Sequence, residues 1–341
     1  NTELVKIGAS AFDGTSLGTF AVTQTNAYYA TEADGALLTS KDGKQVILAA
    51  IANDFGDYTL PEKYEKIASG AFSGANITSI VFANPDIVIG AFAFNECTSL
   101  TAVIFPDTVS ENATVGERAF NGCAELATVV NLDKLKNVDK YGFANTGLRE
   151  IVIGAGAQLG EGAFFQSKVE KLTVGANSSF GMGSFQRCTL LETVVMPDGG
   201  NVHFGADCFA YCTSLTSIDL SKTDKIIEAE TFYGCTSLMS VNLDKVTSVG
   251  AYAFADCARL SGVINAMSLK EIGDGAFSRA TERGTAPIFE AIALDSVETI
   301  GDGAFMGCAG LSEITLPDTL TKIPDFAFSF NVNLRKVTLP E

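Results

Sequence analysis

One phrase recurs through this chain: Ala-Phe, with an apolar residue five positions before the Phe. Thirteen Phe anchors have that apolar residue, and nine of them also the Ala: Phe12, Phe72, Phe94, Phe120, Phe143, Phe164, Phe185, Phe209, Phe232, Phe254, Phe277, Phe305 and Phe328. From Phe72 to Phe328 they advance 256 residues in eleven steps, a period of about 23. A unit that short cannot bury its own apolar side chains. Stacked units can, because each covers its neighbour.

The unit around Phe254 has Val249 five residues before the anchor, Cys257 three after, Leu260 six after and Val263 nine after. Around Phe305 the same slots hold Ile300, Cys308, Leu311 and Ile314, followed by Leu316. In outline the unit reads I-G-x-x-A-F-x-x-C-x-x-L-x-x-I-x-L-P. Its L-x-x-I-x-L part alternates apolar and polar residues, the period of a half-buried strand. In Thr213 to Leu220, Leu215, Ile218 and Leu220 are expected to point inward, and Ser217 and Asp219 outward. The acidic residue before Ala-Phe, as in Asp274-Gly-Ala-Phe277, is expected to begin a short helical turn. Pro106, Pro197, Pro317 and Pro340 end strands, where a missing N–H costs nothing. Strands at one slot would lie about 4.8 Å apart in a long parallel sheet.

A period of about 20 to 29 residues is that of leucine-rich repeats. The expected fold is therefore a leucine-rich-repeat solenoid, a right-handed superhelix of about 23-residue units with a long parallel β-sheet and short helical turns. One continuous repeat predicts a single elongated domain over residues 1–341.

Units with Cys three after the anchor place Leu six after it, whereas the units of Phe72, Phe143 and Phe164 are one residue shorter. The Phe328 unit has Asn331 in the Cys slot and keeps the longer spacing. Seven of the eight Cys occupy that one slot, and Cys208 replaces the Ala before an anchor. A slot repeated in this way implies packing, so the thiols are expected buried and free. Rungs about 5 Å apart leave a disulfide possible on distance alone.

Residues 23–58 break the period: Phe12 and Phe72 are 60 residues apart. Asp42-Gly43 between two β-rich runs predicts a β-hairpin insertion. It would cover a sheet edge beside Tyr28, Tyr29 and Tyr58, or serve in recognition. A second departure, Arg279 to Pro287, reads as a surface loop. The chain begins and stops within the repeat pattern, without an initiator Met or a signal peptide, which suggests a mature or trimmed chain.

The repeat resembles that of BspA-like leucine-rich repeat bacterial surface proteins. The closest matches are Ile300 to Pro317 (IGDGAFMGCAGLSEITLP) and Val249 to Cys257 (VGAYAFADC). The insertion, with Asp34 to Gly43 (DGALLTSKDG), is similar to a hairpin found between repeats in that family. Tyr141-Gly-Phe143, which lacks the Ala, and Gly162 to Val169, which lacks the Cys, depart from the pattern. The resemblance implies an extracellular or cell-surface location, adhesive binding to host or bacterial surface proteins, no activity and no cofactor. It supplies no fixed functional residues.

The side chains themselves offer little chemistry. His203 is the only histidine, and its nearest candidate partner, Cys208, occupies a core slot. Neither Cys-x-x-Cys nor G-x-x-x-x-G-K-S/T occurs, so metal and nucleotide sites have no sequence support. A net charge of −17 argues against nucleic acid and anionic membranes. No apolar run reaches the roughly 18 residues of a membrane helix.

What remains is the outward strand slot: Val81, Ile104, Val130, Val152, Thr173, Val195, Asp219, Asn242, Ile264, Ala293, Thr315 and Thr338. Its first half is mostly β-branched and apolar. Such a row is either a binding ridge or simply the composition a parallel sheet favours. The candidate site is Val81, Ile104, Val130, Val152, Val195 and Asp219. The expected function is a non-catalytic protein-binding or adhesion solenoid. The alternatives are a carbohydrate-binding surface protein, for which the absence of Trp is unfavourable, or a spacer carrying another domain.

Overall fold

The alternating strand slot and the apolar slot before each anchor both become β-structure, and each coil adds its ladders to those of the coil before. The fold is a leucine-rich-repeat solenoid with almost no helix. The computed structural model describes residues 4, 6–8, 10–12, 15, 17–41, 46–51, 54–279 and 287–340. Its chain divides into two compact units, Asn1–Ser167 and Lys168–Glu341.

In the first unit, Tyr29–Glu32, Leu37–Ser40 and Val46–Ala50 form an antiparallel meander, with Tyr29 opposite Ser40 and Leu37 opposite Ala50. The expected hairpin turn at Asp42-Gly43 lies outside the described residues, as does most of the loop expected at Arg279 to Pro287. Tyr29, Leu38 and Ala49 form a small cluster with Ile7, Phe12, Phe20, Val22 and Leu48. Tyr28 stays partly exposed. Val46–Ala50 then pairs in parallel with Lys66–Ile67, which starts a series of two-residue strands. Val88–Ile89, Thr114–Val115, Asn137–Val138 and Gln158–Leu159 follow in register. This second ladder, at the slot before each anchor, is not visible in the sequence, because two residues show no alternation.

The expected ladder also forms. Asp54–Leu60, Asn76–Phe82, Ala102–Ile104 and Thr128–Val130 make a four-stranded parallel sheet. It ends there: no ladder joins Thr128–Val130 to the next strand, Glu150–Ile153, among the described residues. The expected long sheet is therefore interrupted within this unit.

In the second unit the same slot gives Lys171–Val174, Thr193–Val195, Ser217–Ile218 and Ser240–Val241. Val263–Ile264 pairs with Ala291–Ile292, and Glu313–Thr315 with Lys336–Thr338. The slot before the anchor contributes Ser179–Phe180 with His203–Phe204. It also contributes the series Ile226–Ile227, Ser248–Val249, Glu271–Ile272 and Thr299–Ile300.

The short turn at each anchor is built differently from a turn of α-helix. Around Phe94 the N–H groups of Phe92, Phe94 and Glu96 donate to Glu117, Ala119 and Asn121 of the next coil at 2.7–2.8 Å. Between them, Ala93, Asn95 and Cys97 donate three residues back, to Gly90, Phe92 and Phe94. Phe92 and Glu96 take left-handed φ of 59° and 58° so that successive N–H groups face opposite ways. Every second donor thus crosses between coils, which an α-helical turn cannot arrange.

Inside, the anchors stack. Phe72, Phe94, Phe120, Phe143 and Phe164 have ring centroids 4.9–5.5 Å apart and planes within 11°. In the second unit Phe185 to Phe328 repeat this at 5.3–5.8 Å. These are offset stacks within the favourable range for aromatic pairs. Phe12 is half-buried and meets Phe20 edge-on at 5.2 Å, while Phe55 meets Phe72 edge-on.

All eight cysteines are buried, and none is in a disulfide. The Cys slot has a polar role as well. The thiols of Cys97, Cys123, Cys212, Cys235, Cys257 and Cys308 donate to the anchor carbonyl of the preceding coil at 3.0–3.3 Å. Where the turn is a residue shorter, the Ser167 hydroxyl donates to the Phe143 carbonyl at 2.8 Å instead. Gly142, in the usual Ala slot, has Val138 Cγ1 at 2.7 Å from where a Cβ would stand, so the valine fills the missing methyl's place.

Candidate protein-binding face

Strand register decides which candidate residues meet. Thr59, Val81, Ile104 and Val130 are successive Cα partners, so three of the candidates form one outward row in the first unit. Val81 and Ile104 are half-buried, and Val130 is 40% exposed. Val152 is 51% exposed on Glu150–Ile153, beyond the interruption. Val195 and Asp219 lie in the second unit and are not part of that row. Val195 pairs with Thr173. Asp219 Oδ1 accepts the Ser221 N–H at 2.9 Å, a bond that holds its carboxyl below the usual range. Ile264 departs from the sequence reading. It is 1% exposed and Val263 is 62% exposed, because Gly262, at φ 75°, absorbs one extra residue and shifts the strand's phase.

The interruption has a local cause. Where Phe82 and Phe105 close their strands inward, the next coil has Asn131. It takes φ 63° and starts the one-turn 3-10 helix Leu132–Lys134. Its Nδ2 donates to the Phe105 carbonyl at 2.8 Å and to Asp107 Oδ1 at 3.1 Å, which fixes the turn. The helix, rather than the preceding strand, packs on Glu150–Ile153. At Gly154, an added Cβ would stand 1.7 Å from the Asp133 carbonyl.

The result is a notch of about 140 Å³ whose lining mixes apolar residues, Val129 and Val152 among them, with Asn131, Asp133 and Glu150. Val129 occupies an inward slot, yet it is only half-buried, whereas its register partner Val103 is 0% exposed. Asp133 and Glu150 are exposed and form no ion pair among the described residues. The neighbouring Lys134 is turned away: its Nζ donates to the Asp107 carbonyl at 2.8 Å.

The opposite, turn-bearing face carries aromatic side chains that the sequence reading missed. In the first unit the Arg118 guanidinium lies 5.7 Å from the Phe92 ring centre and 5.0 Å from that of Tyr141. In the second, Arg187 lies 5.2 Å from the Tyr211 ring. Each tyrosine ring also lies close to a glycine of the next coil: a Cβ at Gly162 would stand 2.3 Å from Tyr141, and one at Gly234 3.0 Å from Tyr211. With a guanidinium over each ring and a glycine against it, the rings are part of the coil-to-coil packing.

The remaining chemistry is sparse. His203 Nδ1 is 2.8 Å from Asp224 Oδ2, and the ring is 40% exposed. Cys208 is fully buried, and burial pushes its thiol well up, so it forms no nucleophilic pair with that histidine. Among the described residues, no group of three or more His, Cys, Asp or Glu is placed to hold a metal ion. No described helix is long and apolar enough to cross a membrane.

A family model described as the BspA type leucine rich repeat region matches in six copies, over residues 65–192, 157–284 and 284–341. Solved structures similar to the chain include a leucine rich cell surface protein from Faecalibacterium prausnitzii A2-165. It is 22% identical, with a TM-score of 0.48, over 91% of this chain and 94% of that one. A leucine-rich repeat protein from Bacteroides ovatus ATCC 8483 is 21% identical, with a TM-score of 0.34, over 91% and 92%. The T. pallidum leucine rich repeat protein is 21% identical, with a TM-score of 0.39, over 70% and 91%. No curated protein matches the chain.

Proposed function

The chain belongs to the BspA-type leucine-rich repeat family, and from that premise we propose that it is a non-catalytic, cell-surface or secreted protein-binding scaffold that acts in adhesion. Its partner is a surface protein of a host or of another bacterium, met by the outward row of the strand face. The observation that carries this reading is the exposure of Val130 and Val152, at 40% and 51%, on a surface otherwise formed by regular strands. Exposed β-branched side chains on a rigid sheet lose little entropy when covered. At Tyr141 and Tyr211 the rings are already covered, which disfavours a sugar site at those two positions.

The test is binding to an immobilised panel of extracellular-matrix and bacterial surface proteins, comparing the wild type with Val130→Asp/Val152→Asp. The expected result is a partner whose binding falls at least about tenfold in the variant. Equal binding by the two proteins to every member that binds would remove the strand face from the mechanism.

A further inference from the structure

The strand face has a starting edge, and that edge points to a mode of docking; this inference rests on the protein-binding reading above. The parallel sheet of the first unit begins at Asp54–Leu60, which pairs with Asn76–Phe82 on one side and with no strand on the other. The Leu60 carbonyl accepts the Ala83 N–H at 3.3 Å, so the inward residues of this strand turn their backbone groups toward the next coil. The outward residues alternate with them and turn theirs the other way. At Asp57 and Thr59 those N–H and C=O groups meet no partner among the described residues. We propose that this edge receives an extended segment of the partner protein, which adds to the sheet as one further strand and sets a basic side chain beside Asp57.

Strand addition takes its affinity from main-chain hydrogen bonds and its selectivity from alternate side chains. The edge is long: seven residues, equalled by Asn76–Phe82, where the other described strands have two to five. Exposed edges are usually blunted by shortness, by Lys or by Pro. This strand, Asp-Phe-Gly-Asp-Tyr-Thr-Leu, has neither Lys nor Pro, and the next lysine in sequence, Lys63, is held by Glu32. Its bulge, at Gly56, lies near the start and leaves residues 57–60 in regular register. The interior is also less closed here. Tyr58 shares the inward slot of its register partner Ile80; Ile80 is 0% exposed, whereas Tyr58 is only half-buried. An inward side chain on an added strand would cover that ring, as each coil covers its neighbour. On the outward side the added strand would continue the row Thr59, Val81, Ile104 and Val130, the face proposed above for binding.

The charge of the partner follows from Asp57. Its side chain is exposed, Oδ1 accepts the Ser79 hydroxyl at 2.7 Å, and no cation pairs with it among the described residues. An opposite charge on the adjoining strand is favourable and a like charge is not. The same rule disfavours a second copy of this chain, which would bring another Asp57 and a further net charge of −17.

The probe is a short, fluorescently labelled peptide of alternating valine and lysine, read by anisotropy against the full chain. It is expected to bind saturably, with a Kd below about 1 mM, and at least about fivefold more tightly than a valine–glutamate peptide. Asp57→Asn is expected to narrow that margin, and an unchanged margin overturns the choice of a basic partner. Thr59→Pro deletes an edge N–H, spares the ladder to Asn76–Phe82 and changes no charge, so the general attraction of lysine to an acidic chain is unaltered. It is expected to weaken the lysine peptide at least about tenfold, whereas Thr59→Val keeps it. Two further peptides, one N-methylated at its valines and one at its lysines, test the same bonds on the unaltered protein. One set of N–H groups faces the edge and the other does not, so their affinities are expected to differ at least about tenfold. Equal affinity of these two peptides overturns the proposal, as does full-strength binding by Thr59→Pro or the absence of saturable binding. A dimer in sedimentation that Thr59→Pro converts to monomer also overturns it and assigns the edge to a second copy. If Val130→Asp/Val152→Asp loses a protein partner that Thr59→Pro keeps at full strength, the strand-face reading stands and strand addition falls. If Thr59→Pro alone loses it, strand addition stands and the exposed valines fall. If neither does, both fall.

Discussion

At the scale of single residues, the repeated cysteine is a hydrogen-bond donor as well as an apolar filler. Cys235 Sγ gives its proton to the Phe209 carbonyl at 3.2 Å, and Ser167 does the same for Phe143 at 2.8 Å. Cys235→Ser should therefore be milder than Cys235→Ala. The alanine loses the donor and leaves a small void, costing about 1–2 kcal/mol; urea unfolding of the two variants checks the order. A second prediction concerns Gly162, at φ 59° beneath the Tyr141 ring. Gly162→Ala adds left-handed strain and a clash, together about 1–3 kcal/mol. Removing the ring with Tyr141→Ala should relieve only the clash. A double-mutant cycle should then show non-additivity of about 1 kcal/mol, and strict additivity would mean that ring and glycine do not touch.

At the scale of elements, the anchor column and the strand slot dominate. Phe120 is 0% exposed with Phe94 and Phe143 each 5.1 Å away, so Phe120→Ala should cost about 3–5 kcal/mol in denaturant unfolding. That column was legible in the sequence, because the Phe period imposes it. So was the inward and outward alternation of Leu215, Ser217, Ile218, Asp219 and Leu220. The two-residue ladder before each anchor was not, being too short to carry a pattern. The alternating turn was hidden as well, since its left-handed positions are filled by Phe92, Arg118, Tyr141 and Glu230, residues that do not advertise that conformation. Of the candidate site, the row Val81, Ile104 and Val130 was readable from spacing, whereas the notch was not. Its cause is Asn131 in an inward slot, and counting positions assigns that residue a place without revealing that it turns the chain. Gly262 deceived the count in the opposite way, adding a residue that exchanges the roles of Val263 and Ile264.

At the scale of the whole molecule, the buried thiols set a pH limit. Burial pushes the Cys97 and Cys235 thiols from 9.0 up to about 12, and moves Cys123, Cys208, Cys212 and Cys257 upward too. In the unfolded chain these groups ionise near pH 9, so above that pH the unfolded state holds fewer protons than the folded one. Their stabilising contribution is full below about pH 9. It declines toward about pH 12 by up to about 1.4 kcal/mol per pH unit for each thiol. Unfolding midpoints should be nearly level on this account around neutrality and drop steeply above about pH 9. Replacing Cys212, Cys235 and Cys257 with alanine should flatten the drop. A level profile in the alkaline range for the wild type would show that the thiols titrate freely. The donors that cross between coils at every anchor have a further consequence. Gain or loss of one full period leaves each amide with an equivalent acceptor, while a change of half a period orphans a whole set. A gene of this kind is free to lengthen or shorten by tandem duplication and deletion in whole periods, with the new junction already compatible at the backbone.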